Sequence, residues 1–106
     1  MGYVYLLGDS GKDSSFKIGV TRGSIEKRMK KLQTGNDGEI FLIAYYETSK
    51  PFYVEKMMHL KYFSKKILNE WYNLTAKEVA SFQEDCSKIE KIAEALKDNP
   101  FFKVKG

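Results

Sequence analysis

Two short runs near the N-terminus, Gly2-Tyr3-Val4-Tyr5 and Phe16-Lys17-Ile18-Gly19, constrain the fold more than anything else in this chain. Each is rich in aromatic and β-branched residues, and a polar Gly/Asp/Ser segment joins them. Side chains of this kind fit the pleated, half-buried surface of a strand, so residues 3–7 and 16–20 are predicted to form a hairpin. A basic helix follows at once. Local structure alone therefore brings a tyrosine, a lysine and an arginine near one another.

The hairpin has to be covered, and 106 residues are enough for one domain, residues 1–106, with a single core of ordinary size. A hydrophobic fraction of 42% can fill that core, while 30% charged residues and the lack of any long apolar run exclude a membrane-spanning helix. No basic stretch leads into an apolar one at the N-terminus, so no secretory signal is read there and a cytoplasmic location is expected. Cys86 is the single cysteine and cannot close an internal disulfide. With one histidine in the chain, neither a zinc cage nor a Cys/His catalytic pair can be assembled. Cys86 is expected to pack on a helix as a small apolar group.

The net charge of +4 is unevenly placed: residues 1–75 carry 12 basic and 8 acidic side chains and residues 76–106 carry 6 of each, so the excess lies entirely in the first part. Between positions 17 and 31, Lys17, Arg22, Lys27, Arg28, Lys30 and Lys31 are opposed only by Glu26, a local net charge of +5. On one face, such a patch attracts phosphate; spread around a helix, it is a solvated surface.

After the hairpin, Ser24 is placed to cap a helix whose Ile25, Met29 and Leu32 fall on one face, and Gly35 ends it. Residues 40–46 read as a strand. Pro51 suits the first turn of a second helix running to about residue 62 or 64. Trp71, Tyr72 and Leu74 form a brief extended or irregular link. Thr75 and Glu78 then make a capping box for a final amphipathic helix, about residues 75–97, with Val79, Phe82, Cys86, Ile89, Ala93 and Leu96 on its apolar face.

Two helical projections single out residues. At 100° per residue Arg28 lies about 40° from Leu32, whereas Lys27, Lys30 and Lys31 project to the far side, so Arg28 alone leans toward the sheet. A guanidinium there either finds a carboxylate or bound anion, or lays its stem on the core and its head in water. In the second helix Glu55 and His59 stand one turn apart on a face with Phe52, Met58, Tyr62 and Phe63. A carboxylate on such a face either pairs with Arg28 or, beside a cleft, holds one Mg²⁺ or Mn²⁺, hard cations that take oxygen ligands and keep several waters.

In this order the residues resemble the GIY-YIG endonuclease superfamily, in particular its small phage and viral branch with an E-x-x-x-H helix and a following E-W-[FY]. The first motif resembles Gly2-Tyr3-Val4-Tyr5 and the second Lys17-Ile18-Gly19. Arg28 matches the arginine, Glu55-Lys56-Met57-Met58-His59 the helix motif and Glu70-Trp71-Tyr72 the tryptophan turn, so that the resemblance covers residues 2 to about 74. Two departures stand out. An extra residue in the first motif makes Tyr5, rather than Tyr3, the counterpart of the family tyrosine, and Lys17 stands where the second motif has its tyrosine.

The resemblance implies an α/β fold, a small sandwich with a three-stranded mixed sheet flanked by helices, and metal-dependent hydrolysis of DNA phosphodiester bonds. It casts Tyr5 as general base and Lys17 as the group that lowers the Tyr5 pKa, orients water or holds the phosphate. Arg28 becomes the transition-state stabiliser, Glu55 the ligand of one Mg²⁺ or Mn²⁺, and His59 a base, proton relay or phosphate contact. Arg22, Lys27 and Lys31 are candidate DNA contacts. Specificity is expected to be low or to come from a homodimer or a partner, since no fused DNA-binding domain is read in the chain. The alternative expectation is a nucleic-acid-binding module of the same fold with weak or no catalysis. Glu70 is either a further acid near the site or a surface residue before a packed Trp71, and Phe101 and Phe102 either dock on the core or mediate self-association.

Overall fold

β1 (Gly2–Asp9) is the strand around which the molecule is organised. In the computed structural model, which describes residues 1–97, it pairs antiparallel with β2 (Lys12–Thr21) on one side and β3 (Ile40–Thr48) on the other. Layers cover both of its faces, so its middle has no place for a charged side chain. Val4 and Leu6 point into one layer, Tyr5 and Leu7 into the other, and all four are at most 1% exposed.

The sheet differs from the expected three mixed strands. It has five, in the order β3-β1-β2-β5-β4, and every pair is antiparallel. The segment expected as an irregular link is β5 (Trp71–Asn73), which pairs with β2 through Ser15–Asn73, Phe16–Tyr72 and Lys17–Trp71 and with β4 (Lys66–Leu68) through a two-residue loop. Asn69 in that loop has a φ of 54°, a left-handed conformation that asparagine tolerates well. β3 is antiparallel to β1 because the intervening helix returns the chain to the end of the sheet from which β2 started.

That helix, α1 (Ile25–Gln33), begins as predicted, with the Ser24 hydroxyl accepting from the Lys27 amide. Its Ile25, Met29 and Leu32 cover Tyr5, Leu7 and Ile40 on one face of the sheet. The other face carries α2 (Pro51–Lys61) and α4 (Phe82–Leu96), whose Val54, Met58, Phe82 and Cys86 pack against Val4, Leu6 and Ile18. Each fully buried aliphatic side chain in this layer contributes about 1.5–3 kcal/mol.

Two helix expectations change. The final helix is two: the Thr75/Glu78 capping box opens α3 (Ala76–Ala80), and Ser81, with a near-zero ψ of 3°, separates it from α4. In α2 the buried stripe is Pro51, Val54 and Met58, whereas Phe52 and Phe63, expected on the apolar face, are 54% and 69% exposed. Cys86 is buried as expected, and burial pushes its thiol up to about 12. Phe101 and Phe102 lie outside the described residues. No helix among the described residues is long and apolar enough to cross a membrane.

Candidate active site

Tyr5 and Gly19 face each other across β1 and β2. A Cβ at Gly19 would stand 2.4 Å from the Tyr5 hydroxyl and 2.5 Å from its ring, so the ring lies directly over the glycine and reaches across β2. Only glycine permits this approach. At the far end of the ring, Arg28 Nε donates a long hydrogen bond of 3.4 Å to the Tyr5 hydroxyl. Arg28 thus leans toward the sheet as its helical projection predicts, with the residue as a whole exposed. It forms no ion pair with Glu55 within 4.0 Å among the described residues, one of the two structural alternatives for these side chains.

The ladder between β2 and β5 stops at Lys17, which leaves the next outward-facing backbone groups of β2 to other partners. The Ile18 amide donates to the Glu70 carbonyl at 3.2 Å, and the Ile18 carbonyl lies 2.8 Å from His59 Nε2. A carbonyl only accepts, so Nε2 carries the proton and the lone pair of a neutral His59 is on Nδ1. The ring also stacks on Tyr72, with centroids 5.5 Å apart. Through this gap in the sheet, α2 brings Glu55 and His59 from the opposite layer to the edge of β2.

Glu70 completes the group. One donor atom each from Glu55, His59 and Glu70 lies within 4.8 Å of the others, the one such cluster among the described residues. Lys17, itself buried, reaches the same place from β2, with Nζ 2.8 Å from Glu70 Oε2. Burial is the main cause that raises the Glu55 carboxyl above its ordinary pKa; His59, Lys17 and Arg28 oppose the shift and Glu70 adds to it. Burial likewise raises the Tyr5 phenol, against the pull of the Arg28 guanidinium.

Two carboxylates and an imidazole suit a hard or borderline divalent cation. Trans ligands of one Mg²⁺ stand roughly 4.2 Å apart and cis ligands roughly 3.0 Å, so the three side chains have to draw together by about an ångström or more to share one ion. A cation there would also reverse the mutual repulsion of Glu55 and Glu70.

Of the residues singled out in the sequence, Tyr5, Lys17, Arg28, Glu55 and His59 converge here. Arg22 lies over the exposed Phe52 ring, 5.2 Å from its centroid, one helical turn before Glu55. Lys27 and Lys31 are exposed on α1, and no contact ties either to the cluster. Tyr3 stays outside it, edge-on to Tyr45 at 5.9 Å. Glu70 is the member least visible in the sequence, its one signal being its place before Trp71-Tyr72.

The site therefore gathers acidic and basic side chains at one place on β2 of a five-stranded α/β domain. The chain belongs to the T5orf172 domain family, whose model matches residues 2–96, and that family is associated with nuclease-type proteins. No curated protein and no solved structure matches the chain significantly.

Proposed function

We propose that this chain is an endonuclease of the GIY-YIG type that hydrolyses DNA phosphodiester bonds with Mg²⁺ or Mn²⁺. The observation that carries the reading is the convergence of Tyr5 and Arg28 from the α1 side of the sheet with Glu55 and His59 from α2 and Glu70 from the β4–β5 loop, at the gap where β5 leaves β2. Glu55 would hold the ion together with Glu70; His59 stands beside them with Nε2, the nitrogen 4.0 Å from Glu55 Oε2, engaged by the Ile18 carbonyl. The bound ion would supply positive charge beside the leaving 3′ oxygen.

The remaining work falls to the chain's own groups. With Nε on Tyr5, the exposed Arg28 guanidinium keeps its two terminal nitrogens for the phosphate, where charge builds in the transition state. Tyr5, as phenolate, takes a proton from the attacking water; the new bond joins the water oxygen to phosphorus, and the bond from phosphorus to the 3′ oxygen breaks. Burial opposes the phenolate, so Tyr5 depends on the cationic groups around it. Lys17 holds Glu70 in place and offers a donor to the scissile phosphate. Arg22, Lys27 and Lys31 would contact flanking phosphates, and target choice would come from a second copy or a partner.

One observation favours the alternative, a nucleic-acid-binding module without catalysis: the Lys17 ammonium already lies 2.8 Å from Glu70, supplying positive charge where a cation would sit. Incubation with supercoiled plasmid separates the two readings. Nicking or linearisation with Mg²⁺ or Mn²⁺, absent with chelator and in Glu55→Gln and Arg28→Ala, is the expected result. Salt-sensitive binding with no product would establish the binding module instead.

A further inference from the structure

α1 covers only part of its face of the sheet. Ile25, Met29 and Leu32 sit over β1 and β3, while the same face continues across β2 to β5 and β4 with no helix packed on it among the described residues. Register fixes what lies there: Lys17 shares the face of Leu7, and Trp71 and Asn73, paired with Lys17 and Ser15, share it too. The result is an open cleft lined by Lys12, Ser14, Asn36, Leu68, Trp71 and Asn73.

Three features of this cleft are unexplained by folding. The Trp71 ring is partly exposed, and the ammonium groups of Lys12 and Lys17 stand 5.6 and 5.9 Å from its centroid. Ile67 and Leu68 beside it are 57% and 66% exposed, on a hairpin whose core contact is made through Tyr72 instead. The polar lining is Lys12 with the hydroxyls of Ser14 and Ser15 and the amides of Asn69 and Asn73, groups able to meet base edges, while the Asn36 amide donates to Asp9 behind it. A planar ring with the Lys12 ammonium beside it, Lys17 being held by Glu70, fits a nucleobase and its phosphate. Bases inside a duplex already stack on one another and have no free face to offer, which leaves an unpaired strand.

We propose that this open face is a stacking subsite for an unpaired base of the DNA strand next to the bond to be cut, with the base on Trp71 and its phosphate on Lys12. Trp71 follows Glu70 in the chain and pairs with Lys17, so the subsite meets the cluster at Trp71. The inference rests on the endonuclease reading and refines its substrate to DNA that carries single-stranded nucleotides.

Trp71 is the only tryptophan in the chain, so its fluorescence reports the subsite directly. With chelator present, a short single-stranded oligonucleotide should quench it saturably, at a concentration about tenfold below that of a duplex of the same sequence. A strand of the same length lacking its bases should bind, by anisotropy, without quenching. Trp71→Leu should weaken single-strand binding about tenfold, and Trp71→Phe should largely restore it. Equal quenching by the baseless strand or the duplex, or single-strand binding without quenching, would overturn the subsite. Plasmid cleavage without base-dependent quenching keeps the nuclease and removes the subsite; quenching without metal-dependent cleavage does the reverse.

Discussion

Lys17 Nζ and Glu70 Oε2 lie 2.8 Å apart although 53 residues separate them in sequence. The bond joins β2 to the tip of the β4–β5 hairpin and gives a buried ammonium its counter-charge. In Glu70→Gln, Lys17 loses that charge and, on the endonuclease reading, the ion loses a ligand. The expected outcome is a loss of about 1–3 kcal/mol in urea unfolding together with a drop in metal-dependent cleavage of tenfold or more. Unchanged cleavage would remove Glu70 from the site.

Gly19 and Tyr5 are partners across β1 and β2, and the Tyr5 ring occupies the space a Gly19 side chain would take. Gly19→Ala puts a methyl group where the Tyr5 ring lies, so either the ring or β2 must shift, at a cost of about 1–3 kcal/mol. Cleavage should fall as far as in Tyr5→Phe, which keeps the ring and removes only the hydroxyl, and the double variant should be no worse than either single one. An additive double variant would show that Gly19 acts by some other route.

Arg28 is exposed, so its replacement tests chemistry rather than folding. Arg28→Ala and Arg28→Lys should both unfold within about 1–2 kcal/mol of the parent chain, the cost being the partner lost by the Tyr5 hydroxyl. Cleavage should fall roughly a hundredfold or more in each, because an ammonium cannot present the planar pair of donors that a phosphate meets.

Stability should decline in alkali. Burial raises the Tyr62 phenol and the Cys86 thiol to about 12 each, from ordinary values of 10.0 and 9.0. The folded chain therefore holds these protons after the unfolded chain has lost them. The stabilisation is complete below pH 9 and is lost as pH rises through about 12, and its total is on the order of a few kcal/mol. Urea midpoints at pH 8 and pH 10.5 should differ accordingly, and Cys86→Ala should reduce the difference. An unchanged midpoint would show that neither group is held neutral by the fold.

The parts legible in the sequence were those governed by near neighbours. The hairpin, the Ser24 cap and the Thr75/Glu78 capping box each depend on residues a few positions apart, and each is present. β4 and β5 are three residues long, too short for alternation to register; β5 exists by pairing with β2, and β4 by pairing with β5. α2 is apolar on most sides, so periodicity could not choose between the face of Val54 and that of Phe52; the sheet beneath chose. The convergence of Tyr5, Arg28, Glu55 and His59 was approached through motif order, but no local pattern shows that Glu70 swings back to meet Lys17.

The β4–β5 hairpin is held to the sheet by three residue pairs with β2, and it carries Glu70 at its tip. It is anchored by the Tyr72 side chain and the Lys17–Glu70 bond, and being paired over fewer residues than β1, β2 and β3 it is expected to open at a lower free energy than they do. Occupancy of the cluster and closure of the hairpin are then two faces of one equilibrium: a cation that uses Glu70 slows amide exchange in residues 66–73, and a solvent or substitution that frays those residues weakens the cation by the same factor.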